Sequence, residues 1–488
     1  MSILDPKNML RRNAVLLAAT GLIEYGLQFL LPIVLVRNLQ PDDFGIYRLI
    51  MLTATTALGI APLLMPQSLY FFLPRHAGSK GTVIGNVIIY LCAAGFIVAL
   101  VTSPLNSMIG EPLRKLYFET HGLTSLFFWM WVIASITAVL PIAENRVVWF
   151  VTSELCVAFF RTLCLSLAAI YSHKVSSLLD VLGLEMLMRL CILSAYLLTR
   201  KGGGQLSFDY RTMLSQLKYS IPFAAGGTLY MMRLQSDQWI AATMFSHSLF
   251  ASFTVGAVVL PIASLIRQPI NNAVLPHIST AFLDGDMKRI RQLILKSNLV
   301  STVTLLPVAG GLLLLAPEVI KLVYTEKYIG AVPVMRIYLI GVMLQTVATG
   351  YALPSLNLGS FAVKTNALCL VISLICSLIG AKYFGLVGAA FGSVIAFAVG
   401  ETLNLRAICR RLQITVIDVL PLALLLRIGI GVAVAAWVTS AVGWGVRYGL
   451  LTNIILKMSV FVGVLAIGFA RNIRLSGLLS PSSHLNER

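Results

Sequence analysis

Charge is what this 488-residue chain has least of. Asp, Glu, Lys and Arg make up 11% of it, where soluble domains carry about 25%. Hydrophobic residues reach 58%, and the mean hydropathy is +0.87. So little polar surface cannot coat a soluble globule of this length, which excludes soluble enzymes, disordered chains and fibres. What is left is a polytopic membrane protein whose solvent is mostly lipid.

Other absences narrow the chemistry. The seven cysteines have no C-x-x-C spacing and fall mostly in apolar runs. That predicts packed free thiols, with neither a disulfide framework nor a metal site. The six histidines form no H-E-x-x-H pair, and there is no P-loop for a nucleotide. No cofactor is expected, so any energy input comes from an ion gradient, the membrane potential or a downstream sink. The longest polar connections run to about 20 residues, too short for a catalytic domain. No cleavage pattern closes the first apolar run, which is expected to stay as a helix.

A helix crosses the hydrocarbon with about 20 apolar residues. By that measure the sequence predicts an all-α protein of about 14 transmembrane helices, at roughly 13–36, 44–69, 81–103, 123–142, 147–171, 175–199, 219–245, 249–273, 292–316, 333–354, 362–384, 385–408, 417–442 and 448–470. The expected domains are a six-helix lobe over 1–199, a linker over 200–218, a second six-helix lobe over 219–408, and two extra helices with a tail over 409–488. Phe44-Gly45-Ile46-Tyr47 and Phe250-Ala251-Ser252-Phe253 repeat an aromatic spacing six spans apart. Such a repeat suggests parallel lobes related by an axis along the membrane normal.

The 37 Lys and Arg outnumber the 19 Asp and Glu, for a net charge of +18. Between spans they concentrate, by more than two to one, on the side that includes Lys80, Arg146, Arg200, Lys288, Arg289, Arg291, Arg410 and Arg411. The opposite side holds Arg37, Arg114, Lys115, Lys174, Lys321, Lys327, Lys382 and Arg447. This bias predicts that both termini are cytoplasmic. It also accounts for most of the basicity without nucleic acid.

Polar groups inside the spans are the informative ones, because each is costly unless it meets protein or water. Asn13, Thr20, Glu24 and Gln28 share one face of the first span. Glu24 there must take a proton or find a cation. Glu185 and Arg189 are four apart, as are Arg233 and Asp237, while Glu154 and Arg161 are seven apart. Arg267 and Asn271 share a face of the eighth span, beside Pro269. Arg427 and Lys457 are expected to snorkel. Arg161, Arg189, Arg233 and Arg267 cannot shed their charge. They either pair across helices or line a positive aqueous cavity suited to an anionic substrate. Gly388, Gly392, Ala396 and Gly400 form a small-residue stripe for close helix approach.

The segment Val36-Arg37-Asn38-Leu39-Gln40-Pro41-Asp42-Asp43-Phe44-Gly45-Ile46-Tyr47 resembles the pattern "aRxLgPedfGiY" that follows the first helix of bacterial polysaccharide flippases. Tyr219-Ser220-Ile221-Pro222-Phe223 with Ser236-Asp237 is similar to the seventh-helix pattern of that family, and Phe250-x-x-Phe253, the Lys288/Arg289/Arg291 loop and Gly385-x-x-Gly388-Ala389-Ala390 also fit. The family is the oligosaccharide-lipid flippase branch of the multidrug/oligosaccharidyl-lipid/polysaccharide exporter superfamily. The resemblance implies a MATE-like fold of two parallel six-helix lobes plus two C-terminal helices. It implies a transporter, not an enzyme, that moves an undecaprenyl-pyrophosphate-linked oligosaccharide repeat across the bacterial inner membrane. Polysaccharide polymerase and chain-length proteins would be its partners. Gln40 departs from the pattern, where Gly is common. Arg37, Gly45 and Asp237 carry over as architectural or gating positions, with Glu24 a further coupling candidate. Arg161, Arg233, Arg267, Asn271 and Gln28 are the candidate cavity residues. The competing readings are a cation-coupled drug exporter of the same superfamily and a membrane glycan polymerase or ligase, for which the loops are too short.

Overall fold

A computed structural model describes residues 6–76, 78–103, 123–200, 205–443 and 450–476. Arg114, Lys115 and Arg447 of the charge bias, residues 201–204 of the expected linker and the tail beyond 476 lie outside them. The described residues are helices and turns, with no strand among them. They fall into two compact units divided between Ala251 and Ser252.

The first unit contains α1 (Pro6–Asn38), α2 (Pro41–Ile60), α3 (Met65–Arg75), α4 (Lys80–Val101), α5 (Leu123–Ala134), α6 (Val147–Tyr171), α7 (Val175–Thr199) and α8 (Tyr210–Met244). Its α1 packs along α6, α4 against α5, α5 and α6 against α7, and α8 against α2, α3 and α4. An apolar core runs through Met65, Leu69, Val83, Val87, Leu91, Val132 and Ile136. Large side chains such as Leu22, Phe29, Phe96 and Leu163 stay exposed, as lipid-facing positions should. With lipid outside, tight packing and interhelical hydrogen bonds hold the bundle more than apolar burial does.

Polar seams show that second contribution. Asn86 Nδ2 of α4 donates to Gln216 Oε1 of α8 at 3.3 Å, and Gln216 Nε2 donates to the Val83 carbonyl at 3.2 Å. Asp209 starts α8 by accepting from the Thr212 hydroxyl (2.6 Å) and backbone N–H (2.8 Å). Those bonds hold the Asp209 carboxyl below the usual carboxylate range.

α9 (His247–Gly256) follows, and the second unit contains α10 (Leu260–Leu283), α11 (Met287–Leu314), α12 (Ala331–Leu344), α13 (Gly359–Leu412), α14 (Leu422–Gly443) and α15 (Leu450–Ser476). α14 docks on α11 and α15 packs along α14, and Val432 and Phe461 fill the space over Gly310 and Gly311 of α11. Lys457 of α15 is ion-paired with Glu318, so it does not snorkel; Arg427 stays exposed.

Ten helical segments among the described residues are long and apolar enough to cross a membrane, which makes this a multi-pass membrane protein. Fewer than fourteen pass that measure, for reasons that lie in particular residues. α8 carries Arg211, Lys218, Arg233 and Asp237. The predicted tenth span stops as an α-helix at Leu344 and continues in 3₁₀ turns. The apolar described part of α15 ends at Ala466. α13 counts once although it is bent.

As one straight rod, the 54 residues of α13 would reach about 80 Å at 1.5 Å per residue, far beyond a bilayer. Gly385, at φ 63° and ψ −145°, breaks it instead. The two arms then fold against each other. Gly388 lies on Gly380, Gly392 on Ser377 and Gly400 on Cys369, each too close for an added methyl group. The predicted small-residue stripe is thus the seam of a helical hairpin. The Gly385 conformation is essentially closed to other residues. Gly385→Ala is expected to destabilise the protein by about 1–3 kcal/mol. Its thermal unfolding should be compared with that of Gly429→Ala, a site with open space. Of the thiols, Cys369 and Cys409 are buried, whereas Cys156 and Cys191 are exposed rather than packed.

Candidate functional site

In the first unit, α6 and α7 assemble a charge network inside apolar helices. Arg189 NH1 donates to both oxygens of Glu154, at 2.9 and 3.1 Å. Its Nε donates to Glu185 Oε1 at 3.3 Å. Arg161 NH1 stands 3.9 Å from the same Glu185 oxygen, an ion pair without hydrogen-bond geometry. Glu185 has no exposed side-chain surface, so only its neighbours can neutralise it, and two guanidinium groups do so. Glu185 Oε2 and Arg161 Nε have no hydrogen-bond partner among the described residues. Glu24 of α1, half-buried, is close enough to feel Glu154, Arg161 and Arg189. Three carboxylates then face two guanidiniums, one negative charge in excess when all are ionised. Gln28, one turn further along α1, is exposed.

Spacing alone suggested Glu154 with Arg161 along α6. The structure joins Glu154 to Arg189 across the two helices, because Arg189 lies between both acids.

α8 positions Arg233 and Asp237. It is fastened to α2 by a polar seam: Thr56 donates to Gln235 Oε1 (2.5 Å), Trp239 Nε1 to Thr56 (2.9 Å) and Gln235 Nε2 to Thr55 (3.2 Å). Asp237 is buried and accepts from the Gln238 N–H at 2.8 Å. The Arg233 guanidinium lies 5.2 Å from the Tyr230 ring centre, and its buried Nε has no hydrogen-bond partner among the described residues.

The first sequence motif forms the corner between α1 and α2. Arg37 is exposed at the end of α1, and Gly45 is buried in the first turns of α2. Pro41 begins α2, where its missing N–H costs nothing. Asp42 Oδ1 accepts from the Ser248 N–H at 3.0 Å. Any side chain at Gly45 would overlap the His247 carbonyl group, so glycine here is a packing requirement. Gly45→Val is expected to lower the unfolding temperature, whereas Gly21→Ala, with open space around it, should leave it nearly unchanged. Thermal denaturation in detergent checks both.

Arg267 and Asn271 lie in the second unit. The Arg267 side chain is buried and spent on the broken tenth span. It donates to the Thr346 carbonyl at 2.8 Å, to the Ala348 carbonyl, and at 3.5 Å to Asn298 Oδ1. On the other side of the break, Glu401 Oε2 accepts from the Thr349 and Gly350 amides at 2.8 and 3.3 Å. A cation satisfies the freed carbonyls and an anion the freed amides, which is what an interrupted helix in lipid needs. Asn271 Oδ1 is buried without a hydrogen-bond partner among the described residues.

Of the sequence candidates, Arg161 and Glu24 therefore share one network, Arg233 and Asp237 share α8, and Arg37 and Gly45 share the first corner. Arg267 and Asn271 stand apart from them along the chain, in the other unit. Sequence reasoning did not single out Glu401 or its role. Its only signal was a carboxylate in an otherwise apolar run.

Comparisons with known proteins agree with this architecture. A family model described as "Polysaccharide biosynthesis protein" matches residues 34–333. A Haloferax volcanii protein named "Probable low-salt glycan biosynthesis flippase Agl15" is 26% identical over 196 residues, covering 40% of this chain and 41% of that protein. The match thus spans about two fifths of the relative's length. Among solved structures, the lipid II flippase MurJ in an inward closed conformation superposes with a TM-score of 0.71 at 13% identity, over 96% of this chain and all of that one. An inward-facing multidrug resistance MATE family transporter of the MOP superfamily superposes with a TM-score of 0.68 at 15% identity, over 79% of this chain and 94% of its own. The fold is thus MurJ- and MATE-like. The family match covers more than half of the sequence, and the chain belongs to the polysaccharide biosynthesis protein family.

Proposed function

We propose that this protein is a flippase of the MOP superfamily. Its substrate is an undecaprenyl-pyrophosphate-linked oligosaccharide repeat, moved from the cytoplasmic to the periplasmic leaflet of a bacterial inner membrane. The product feeds a surface polysaccharide such as O-antigen, capsule or exopolysaccharide, with polymerase and chain-length proteins acting next. The family match carries this reading, and Agl15 and MurJ, both named as flippases, support it.

The physical problem is the pyrophosphate. Taking one unit charge from water into hydrocarbon costs of order 20 kcal/mol in the idealised limit. A flippase lowers that cost with water and fixed cations along the route. Arg161 and Arg233 suit that role, since both are only partly buried and each keeps an unused Nε donor. The lipid tail stays in the bilayer while lobes 1–199 and 219–408 alternate their access. Arg37, Gly45 and Asp237 act as architectural or gating positions. Glu24, the surplus carboxylate beside the α6–α7 network, takes the coupling proton or cation. Both termini are cytoplasmic on this reading.

Arg161→Gln and Arg233→Gln are expected to reduce surface polysaccharide by about tenfold each at matched protein levels, the effect of losing one charged hydrogen bond. Wild-type export in both would remove the arginine assignment. The drug-exporter reading draws on the MATE-like fold. It requires drug sensitivity, with intact polysaccharide, when the gene is deleted.

A further inference from the structure

The first unit contains a second cationic feature that the proposed transport route does not use. A cavity of about 280 Å³ is lined by Leu73, Pro74, Lys80, Glu144, Arg146 and Arg200, among others. It lies where the α3–α4 corner, the turn before α6 and the end of α7 converge. Lys80 is the first residue of α4 and Arg146 immediately precedes α6, and neither helix start has a side-chain cap. Both positive helix ends therefore add to the cationic lining.

The one carboxylate among the described residues that line the cavity is already committed. Glu144 Oε1 accepts from Arg200 Nε at 2.7 Å, and Glu144 Oε2 accepts from the Tyr196 hydroxyl at 2.7 Å. The Arg146 guanidinium rests 5.4 Å from the Tyr196 ring centre. Neither Lys80 nor Arg146 has a carboxylate within ion-pair distance among the described residues. Three cations against one acid leave a surplus of two positive charges in a confined space.

We propose that this cavity is a binding site for a phosphate group, that of an anionic phospholipid head group or of a free phosphate. Lys80 and Arg146 contact the anion. Arg200, held in place by Glu144, which Tyr196 also anchors, supplies fixed positive potential behind them. Small-molecule pockets usually span about 300–1,000 Å³, so the cavity admits a head-group fragment and excludes a whole glycan repeat. Lys80, Arg146 and Arg200 all belong to the side that the charge bias assigns to the cytoplasm. The anionic lipids of that leaflet attract such clusters.

The test titrates the purified full-length protein with phosphatidylglycerol, with phosphatidylcholine and, at constant ionic strength, with inorganic phosphate, following the thermal unfolding midpoint. Phosphatidylglycerol is expected to raise the midpoint saturably, and phosphatidylcholine is not. Inorganic phosphate reproduces the rise if the anion alone suffices; a rise with phosphatidylglycerol only identifies the lipid head group. Lys80→Gln/Arg146→Gln is expected to weaken the apparent affinity by about tenfold or more, at about 1 kcal/mol per cation. Lys80→Arg/Arg146→Lys should retain it. If the double variant does not fold, Lys80→Gln alone carries the comparison. No rise with either anion, or the same affinity in the Gln variants as in the wild type, overturns the proposal.

Discussion

Arg267→Met is expected to destabilise the second unit by about 3–5 kcal/mol, since each buried group left unpaired costs about 1–3 kcal/mol. The substitution keeps an unbranched apolar stem and removes every donor. The carbonyls of Thr346 and Ala348 then face an apolar interior, and Asn298 loses one contact. Arg267→Lys retains the charge but cannot fork between two carbonyls, so it should fall between the two. Thermal unfolding in detergent reads the loss. Glu401→Leu, which strips the Thr349 and Gly350 amides of their acceptor, should weaken the same break. If Arg267→Met unfolds at the wild-type temperature yet abolishes export, the guanidinium faces substrate and not the helix break.

Glu185→Leu should have a comparable effect in the first unit, about 3–5 kcal/mol, because it leaves the partly buried Arg161 guanidinium without an acid. Arg189 keeps Glu154 at 2.9 Å, but Arg161 loses its only acid within ion-pair distance among the described residues. The combined Glu185→Leu/Arg161→Leu removes one charge of each sign, keeps the net charge of the network as in the wild type and leaves no guanidinium without an acid. A buried pair replaced by apolar side chains is often close to neutral. Most of the stability should therefore return in the double variant. A double-mutant cycle measures this directly, and a coupling near zero would mean that Glu185 and Arg161 do not interact. These expectations bear on the transport assay too. Variants at Arg267 and Glu185 have to be judged at matched protein levels, whereas Arg233, away from both networks, gives the cleaner test of substrate contact.

Local chemistry made much of the protein legible. Hydrophobic runs located the helical stretches, because a helix in lipid must satisfy its own backbone and present apolar side chains. The Glu185–Arg189 contact followed from a spacing of four, since such residues lie one above the other on a helix. The stripe at Gly388, Gly392 and Gly400 announced a close approach, although its partners Gly380, Ser377 and Cys369 could not be named from spacing. The motif around Pro41 and Gly45 marked a helix start.

What no local pattern contains is which distant residues meet. Glu154 and Arg189 are 35 positions apart, Glu144 and Arg200 56, and Arg267 and Ala348 81. Each distance is set by how neighbouring helices are packed and rotated. That packing set Arg267 beside the broken helix, where the break at 345–350 released carbonyls next to it. It also placed Lys80, Arg146 and Arg200 around one cavity. Composition and periodicity dictated a polytopic helical membrane protein, since that depends on transfer into lipid, residue by residue. Which groups surround each buried charge was decided only by the helices packed against it, since a guanidinium keeps its charge and is neutralised by whatever lies within a few ångströms.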